Sequence, residues 1–169
     1  MSNFPVIEIL KWIKRYNEAA KRQHTLFFEA WEANEHERAL TELHFCLTSV
    51  CFVLRAMEKV GDMMGGKVAA YIGKENFEDY FDARNHFEHI EDRLHGSQRN
   101  RPQPISENGH TRTIHFGLDA SNMTFQFGEK SIDVSDRLLS KFAEFIDELE
   151  PLVMEQDPQL KFFGSVMGQ

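Results

Sequence analysis

Ala83-Arg84-Asn85-His86-Phe87-Glu88-His89-Ile90-Glu91-Asp92-Arg93-Leu94-His95 holds the densest polar chemistry in the sequence, and it rides on a helical period. Wound at about 100° per residue, Ala83, Phe87, Ile90 and Leu94, with Tyr80 one turn earlier, fall on one stripe that needs a core to face. Arg84, Asn85, Glu88, His89 and Asp92 take the other side, with Arg84 and His89 about 140° apart and the rest in the arc between them. Phe77 and Phe81 continue this second face upstream. Large apolar groups there would stay wet on a lone surface helix. The pattern therefore predicts a face that docks on a partner and holds a polar pocket at the edge of the contact.

Outward from this stretch the apolar spacing predicts three more helices. The first runs from Phe4 to about Trp31, with Val6, Ile9, Leu10, Ile13, Ala20 and Phe27 at helical intervals and Pro5 in the first turn. Asn34-Glu35-His36-Glu37 reads as a capping box for the second, in which Leu40, Leu43, Leu47, Val50, Leu54 and Met57 repeat every three or four residues as far as Gly61 or Gly65-Gly66. So short a link makes the two antiparallel. The third, Lys74 to His95, carries the central stretch and gives way to the breaker-rich Gly96–Pro104.

Beyond that loop the period becomes two. Thr111–Phe116, Met123–Phe127 and Lys130–Val134 alternate apolar with polar residues, and Gly128-Glu129 reads as a hairpin turn. Ser135 caps a last helix with Leu138, Phe142, Phe145, Leu149 and Leu152 inward, ended by Pro151 and Pro158. The fold class expected is all-α: an up-and-down four-helix bundle with a small antiparallel β-meander inserted at about 110–134, between helices three and four. The reading places one domain over 1–158 and a C-terminal tail over 159–169.

A chain of 169 residues is long enough to bury one core without staples. Its formal net charge of −8 argues against a broad nucleic-acid surface, which draws its affinity from clustered Lys and Arg. Any contact with RNA has to be local, and Arg93, Arg99 and Arg101, with Arg112 further on, form the local basic run. Cys46 and Cys51 sit in one helical pattern at a spacing that turns them apart, so no pairing and a reducing compartment are expected. Lys11, Lys14 and Arg15 interrupt the N-terminal region before an apolar run builds, against a signal peptide, and no stretch reads as long enough to span a bilayer. A cytoplasmic location follows as the expectation.

Arg84, Asn85 and His89 spell an Arg, four residues, then His on a helix, with a polar residue directly after the Arg. This resembles the motif of the HEPN domains, a superfamily of helical bundles that includes metal-independent endoribonucleases of toxin–antitoxin and phage-defence systems. The likeness extends to the four-helix order over most of the chain. It implies that Arg84 and His89 are the functional pair, with Asn85 orienting His89 or the phosphate, and that two such pairs share one cleft in a homodimer. Phe77 and Phe81 would then supply the apolar part of the dimer contact, and Arg93, Arg99 and Arg101 the contacts to RNA. An antitoxin or other partner protein is implied as well, and no cofactor or metal. The chain departs from the pattern at Glu91, where members silenced by adenylylation carry Tyr. Glu88, Glu91 and Asp92 also crowd the motif with negative charge, which favours the alternative of a catalytically inactive HEPN-like module that binds a protein or nucleotide.

Three other readings compete for the same residues. Arg84, Glu88 and Asp92 at helical spacing also describe a salt-bridged surface row. His86, His89, Asp92 and His95 repeat every three residues, but each step drifts about 60° around a helix, so four cannot face one metal ion. Gly61-Asp62-Met63-Met64-Gly65-Gly66-Lys67 imitates a phosphate loop and fails at Val68, where Ser or Thr should meet magnesium. It reads as a helix end with a Gly-rich turn.

Overall fold

The apolar spacing upstream of the central stretch winds into two helices of 29 residues each, α1 (Phe4–Glu32) and α2 (His36–Met64). They belong to a computed structural model that describes residues 4–89, 105–107, 110–112, 116–119, 121–127 and 130–160. The chain is mainly helical with small antiparallel sheets. It divides into two compact units, Met1–Asn76 with Ser140–Gln169, and Phe77–Leu139.

In the first unit α1 and α2 return on each other through Ala33–Glu35. Asn34 takes a left-handed φ of 59° at the turn, and the N-cap position of α2 is Glu35, which makes no side-chain cap bond. The capping box expected from Asn34 is therefore not formed; its residue serves the turn instead, a conformation Asn tolerates better than most. Val6, Leu10, Ile13, Ala20 and Phe27 of α1 and Leu43, Leu47, Val50, Leu54 and Met57 of α2 are buried, as the spacing predicts. Tyr16 stacks on Phe52 with ring centroids 4.9 Å apart. Cys46 and Cys51 are buried free thiols, and burial pushes the Cys46 thiol up to about 12.

α2 corrects the expectation that nothing in the chain approaches a bilayer span. By length and composition it qualifies, with a window of mean hydropathy 1.4, of which 44% is buried inside the protein. The cause is local: Leu43–Leu54 contains no Asp, Glu, Lys or Arg.

α2 ends at Met64, and Gly65 and Gly66, both at positive φ (63° and 50°), turn the chain into a short helix, α3 (Gly66–Ile72). α3 lies outside every expected helix, and the third helix expected from about Lys74 starts later, as α4 (Glu78–Glu88). Gly73 caps α3, and residues 73–77 stay out of helix. Gly-Lys-Glu-Asn-Phe has no apolar stripe to bury, so nothing repays ordering it into a turn of helix.

α5 (Asp136–Gln156) starts where Ser135 Oγ accepts the Arg137 N–H at 3.3 Å. It does not stop at Pro151 but runs five residues further, to Gln156. Pro151 and Asp147, four residues back, are both exposed. The carbonyl that the proline leaves without a helical donor therefore lies on a residue that faces water.

Within the first unit Phe142, Ile146, Leu149 and Val153 of α5 are buried. Two polar devices fasten this helix. Gln156 Nε2 donates to the Met64 carbonyl at 2.8 Å and the Gly65 carbonyl at 3.3 Å, while its Oε1 accepts the Val68 N–H at 3.1 Å. One side chain so satisfies orphan groups at the end of α2 and the start of α3. Tyr71 stacks on Phe145 at 4.5 Å and its hydroxyl donates to the Phe145 carbonyl at 2.9 Å.

Two outcomes follow for this unit. Gln156→Leu keeps the volume but strands those backbone groups, and should cost about 1–3 kcal/mol in denaturant unfolding. Burial, then the nearby Glu148, raises the Tyr71 phenol to about 12, above the usual value near 10. The folded state thus favours the neutral phenol, so this contribution is intact below pH of about 10 and is lost as pH climbs toward 12. Ultraviolet titration should show a late-ionising tyrosine that is missing in Tyr71→Phe.

Candidate active site

In the second unit α4 is set by charge at its start and aromatic packing along its length. Glu78 and Asp79 lie in its first turn, where the helix dipole favours carboxylates. β3 (Phe116–Asp119), β4 (Thr124–Phe127) and β5 (Lys130–Asp133) form a three-stranded antiparallel meander in that order, and β1 (Ile105–Glu107) pairs with β2 (His110–Arg112) as a separate hairpin. The strand expected over 111–116 is therefore shared between two sheets. Phe127 faces Lys130 in the β4–β5 register, while Gly128-Glu129, read as the turn, lie outside the described residues.

Alternation along β4 turns Phe125 and Phe127 inward, both buried. Phe87 of α4 stacks flat on Phe125, centroids 4.7 Å apart and planes 9° off parallel, and His86 tilts against Phe127 at 6.1 Å. The stripe of α4 that meets the sheet is consequently Ala83, His86 and Phe87. His86 is 2% exposed, a core residue rather than a polar one. At the opposite end Lys130 of β5 bridges Asp79 at 2.9 Å and Asp82 at 2.6 Å. The two carboxylates hold the Lys130 ammonium well above its ordinary pKa.

The remaining face of α4 carries the motif. The Arg84 side chain is 29% exposed, and its Nη1 donates to Asn85 Oδ1 at 2.8 Å and pairs with Glu88 Oε2 at 2.9 Å. Its Nε is buried and has no acceptor among the described residues. His89 is exposed and is the C-cap of α4, with φ −109° and ψ 22° and its N–H on the Asn85 carbonyl at 3.1 Å. The histidine thus stands just past the helix, at its C-terminal end. Arg84, Asn85 and Glu88 form one contact group, with His89 directly after it in the chain.

Phe77, the N-cap of α4, and Phe81 are half-buried, with Phe77 and Tyr80 rings 6.1 Å apart. Arg93, Arg99 and Arg101, as well as Glu91, Asp92 and His95, lie outside the described residues, as does the tail from Lys161 to Gln169. No cluster of three or more His, Cys, Asp or Glu that could hold a metal occurs among the described residues.

Sequence reasoning missed the part played by Lys130 and the burial of His86. Asp79 and Asp82 at i and i+3 announce a place for a cation, but a partner 48 residues or more along the chain has no local signature. His86 does flank Ala83 on the helical wheel, about 60° to one side with Phe87 about 40° to the other, which was the available signal.

Set against protein-family models, curated proteins and solved structures, the chain gives no match. The aromatic seam generates its own test. Phe125→Ala removes the ring that Phe87 lies on and should cost about 3–5 kcal/mol. Amide exchange in α4 and the meander should speed up strongly, while exchange in α1 and α2 stays slow.

Proposed function

We propose that this chain is a metal-independent endoribonuclease of the HEPN type, a four-helix bundle that acts as a cytoplasmic homodimer in a toxin or defence system. The observation that supports this most is the arrangement at the end of α4, where the part-exposed guanidinium of Arg84 is held at Nη1 by Asn85 and the exposed His89 follows directly after the helix. A planar guanidinium fixed at one edge and still in reach of solvent suits a phosphate.

In this reading one His89 takes the proton of a ribose 2′-OH, and the 2′ oxygen attacks the adjacent phosphorus. The 5′ oxygen leaves with a proton from the His89 of a second copy. The products are a 2′,3′-cyclic phosphate and a 5′-hydroxyl, so atoms and protons balance. Arg84 stabilises the charge that builds on the phosphate oxygens. The apolar part of the contact between copies is assigned to Phe77 and Phe81, and that with RNA to Arg93, Arg99 and Arg101.

The Arg84–Glu88 pair favours a second reading. A guanidinium already satisfied by a carboxylate at 2.9 Å gives up part of its pull on a phosphodiester. A catalytically inactive module that binds a protein or nucleotide partner, such as an antitoxin, has no need of that pull.

Cleavage of a structured RNA in EDTA separates the two. Wild type should cut, His89→Ala should lose about 10²–10⁴-fold in rate, and Glu88→Gln, which frees Arg84, should gain several-fold. All three are checked for dimer state by light scattering. Absence of cleavage by folded wild type and by folded Glu88→Gln alike overturns the nuclease in favour of the binding module.

A further inference from the structure

Away from the motif, in the unit built on α1, α2 and most of α5, a cavity of about 360 Å³ opens between α1 and α5. This is within the range of pockets that hold small molecules. Its apolar walls are Leu10 and Ile13 of α1 with Ile146 and Leu149 of α5, each no more than 6% exposed. Its polar groups fall into two classes. Lys14 pairs with Glu150 at 2.5 Å and Lys21 with Glu18 at 2.8 Å, so both cations at the rim are already answered.

What is left over consists of acceptors. Asn17 lines the cavity at 6% exposure and its Oδ1 is buried with no donor among the described residues. A buried acceptor without a partner is costly, and a rotation of the Asn17 amide that brings Oδ1 to a donor in the cavity would remove that cost. Asp147 also lines the cavity, about one helical turn along α5 from Glu150, and has no ion pair among the described residues. Three carboxylates against two ammonium groups leave the lining one negative charge in excess.

We propose that this cavity binds a small aliphatic amine. One primary ammonium donates to Asp147 and Asn17, and the hydrocarbon chain lies on the Leu10, Ile13, Ile146 and Leu149 wall. The unanswered acceptors select a cationic donor over an anion, and the absence of any aromatic ring from the lining selects an alkylammonium over a quaternary or aromatic cation, which seeks π faces. The exposed pairs at the rim open at little cost, because screened surface ion pairs contribute little. This inference is independent of the RNA-cleavage reading, since none of its residues belongs to α4.

The test is a titration of the full chain with hexane-1,6-diamine in about 150 mM salt, where diffuse attraction to an acidic protein is screened. Calorimetry gives the affinity and amide chemical shifts give the place. Saturable binding is expected, with shifts confined to residues 10–21 and 146–150 and none from hexane-1,6-diol or hexanoate. Asp147→Asn, an exposed change that leaves the core intact, should weaken binding about tenfold or more. Asn17→Leu should do the same, while Asp62→Asn on α2 should leave it unchanged. Failure of the diamine to bind, equal binding of the diol or of hexanoate, or an equal loss in Asp62→Asn would each overturn the site.

Discussion

Everything in the larger unit depends on the burial of α2 against α1. Leu43–Leu54 has no formally charged residue, only His44, Thr48 and Ser49 among its apolar side chains, so a helix through it has a wide apolar surface that one neighbour cannot cover. Eleven residues of α2 are buried, yet Phe45 and Phe52 remain about half exposed, together with Trp12 of α1. The same excess of apolar surface gives α2 the hydropathy of a membrane span. Within the fold it has a partner at the right distance, with Tyr16 of α1 stacked on Phe52 and the turn at Asn34 only a few residues long. The position of α5 follows from this pair, because Gln156 reads the backbone at the end of α2 and the start of α3, and those groups exist only where α2 stops.

In the smaller unit the equivalent constraint is the ring stack of Phe87 on Phe125. A helix of eleven residues is too short to persist on propensity alone, so α4 exists because Ala83, His86 and Phe87 have a sheet to meet. That contact fixes which side of α4 is left over, and the left-over side is the one with Arg84, Asn85 and Glu88. The chemistry of the motif is in this sense a by-product of aromatic packing three residues away. Lys130 acts at the other end of α4, where two carboxylates that would otherwise repel one another share its charge.

The long helices with a regular apolar stripe were legible. α1, α2 and α5 follow from the 3.6-residue period, and β4 and β5 from alternation, since in each case one face must be buried. What was not legible is set by single groups answering distant ones. Nothing near Gly73-Lys74-Glu75-Asn76-Phe77 says that helix fails there; the period merely weakens. Pro151 reads as a terminator until Asp147, whose carbonyl it deprives, is seen to be exposed. Asn34 and Glu35 differ in which of them is the cap by one residue, and the left-handed turn decides it. For the site, the residue types and their spacing were readable, but the state of Arg84 was not, because i+4 pairing with Glu88 and capture of a phosphate draw on the same guanidinium.

That shared guanidinium ties the local site to the charge of the whole chain. A protein that binds nucleic acid through many cations loses affinity steeply as salt rises, because each contact releases counterions. Here the formal charge is −8, so the long-range field repels a polyanion, and salt screens this repulsion over a Debye length of about 8–10 Å. The few short-range contacts that Arg84 and its neighbours can make are weakened by the same salt. In the proposed nuclease the two effects oppose each other, and the expected net salt dependence of RNA binding is shallow. Binding to such a site would gain little from bulk electrostatics and much from geometry: an exposed phosphate in a loop or bulge, presented at the end of α4, would displace Glu88 from Arg84 more readily than a regular duplex would.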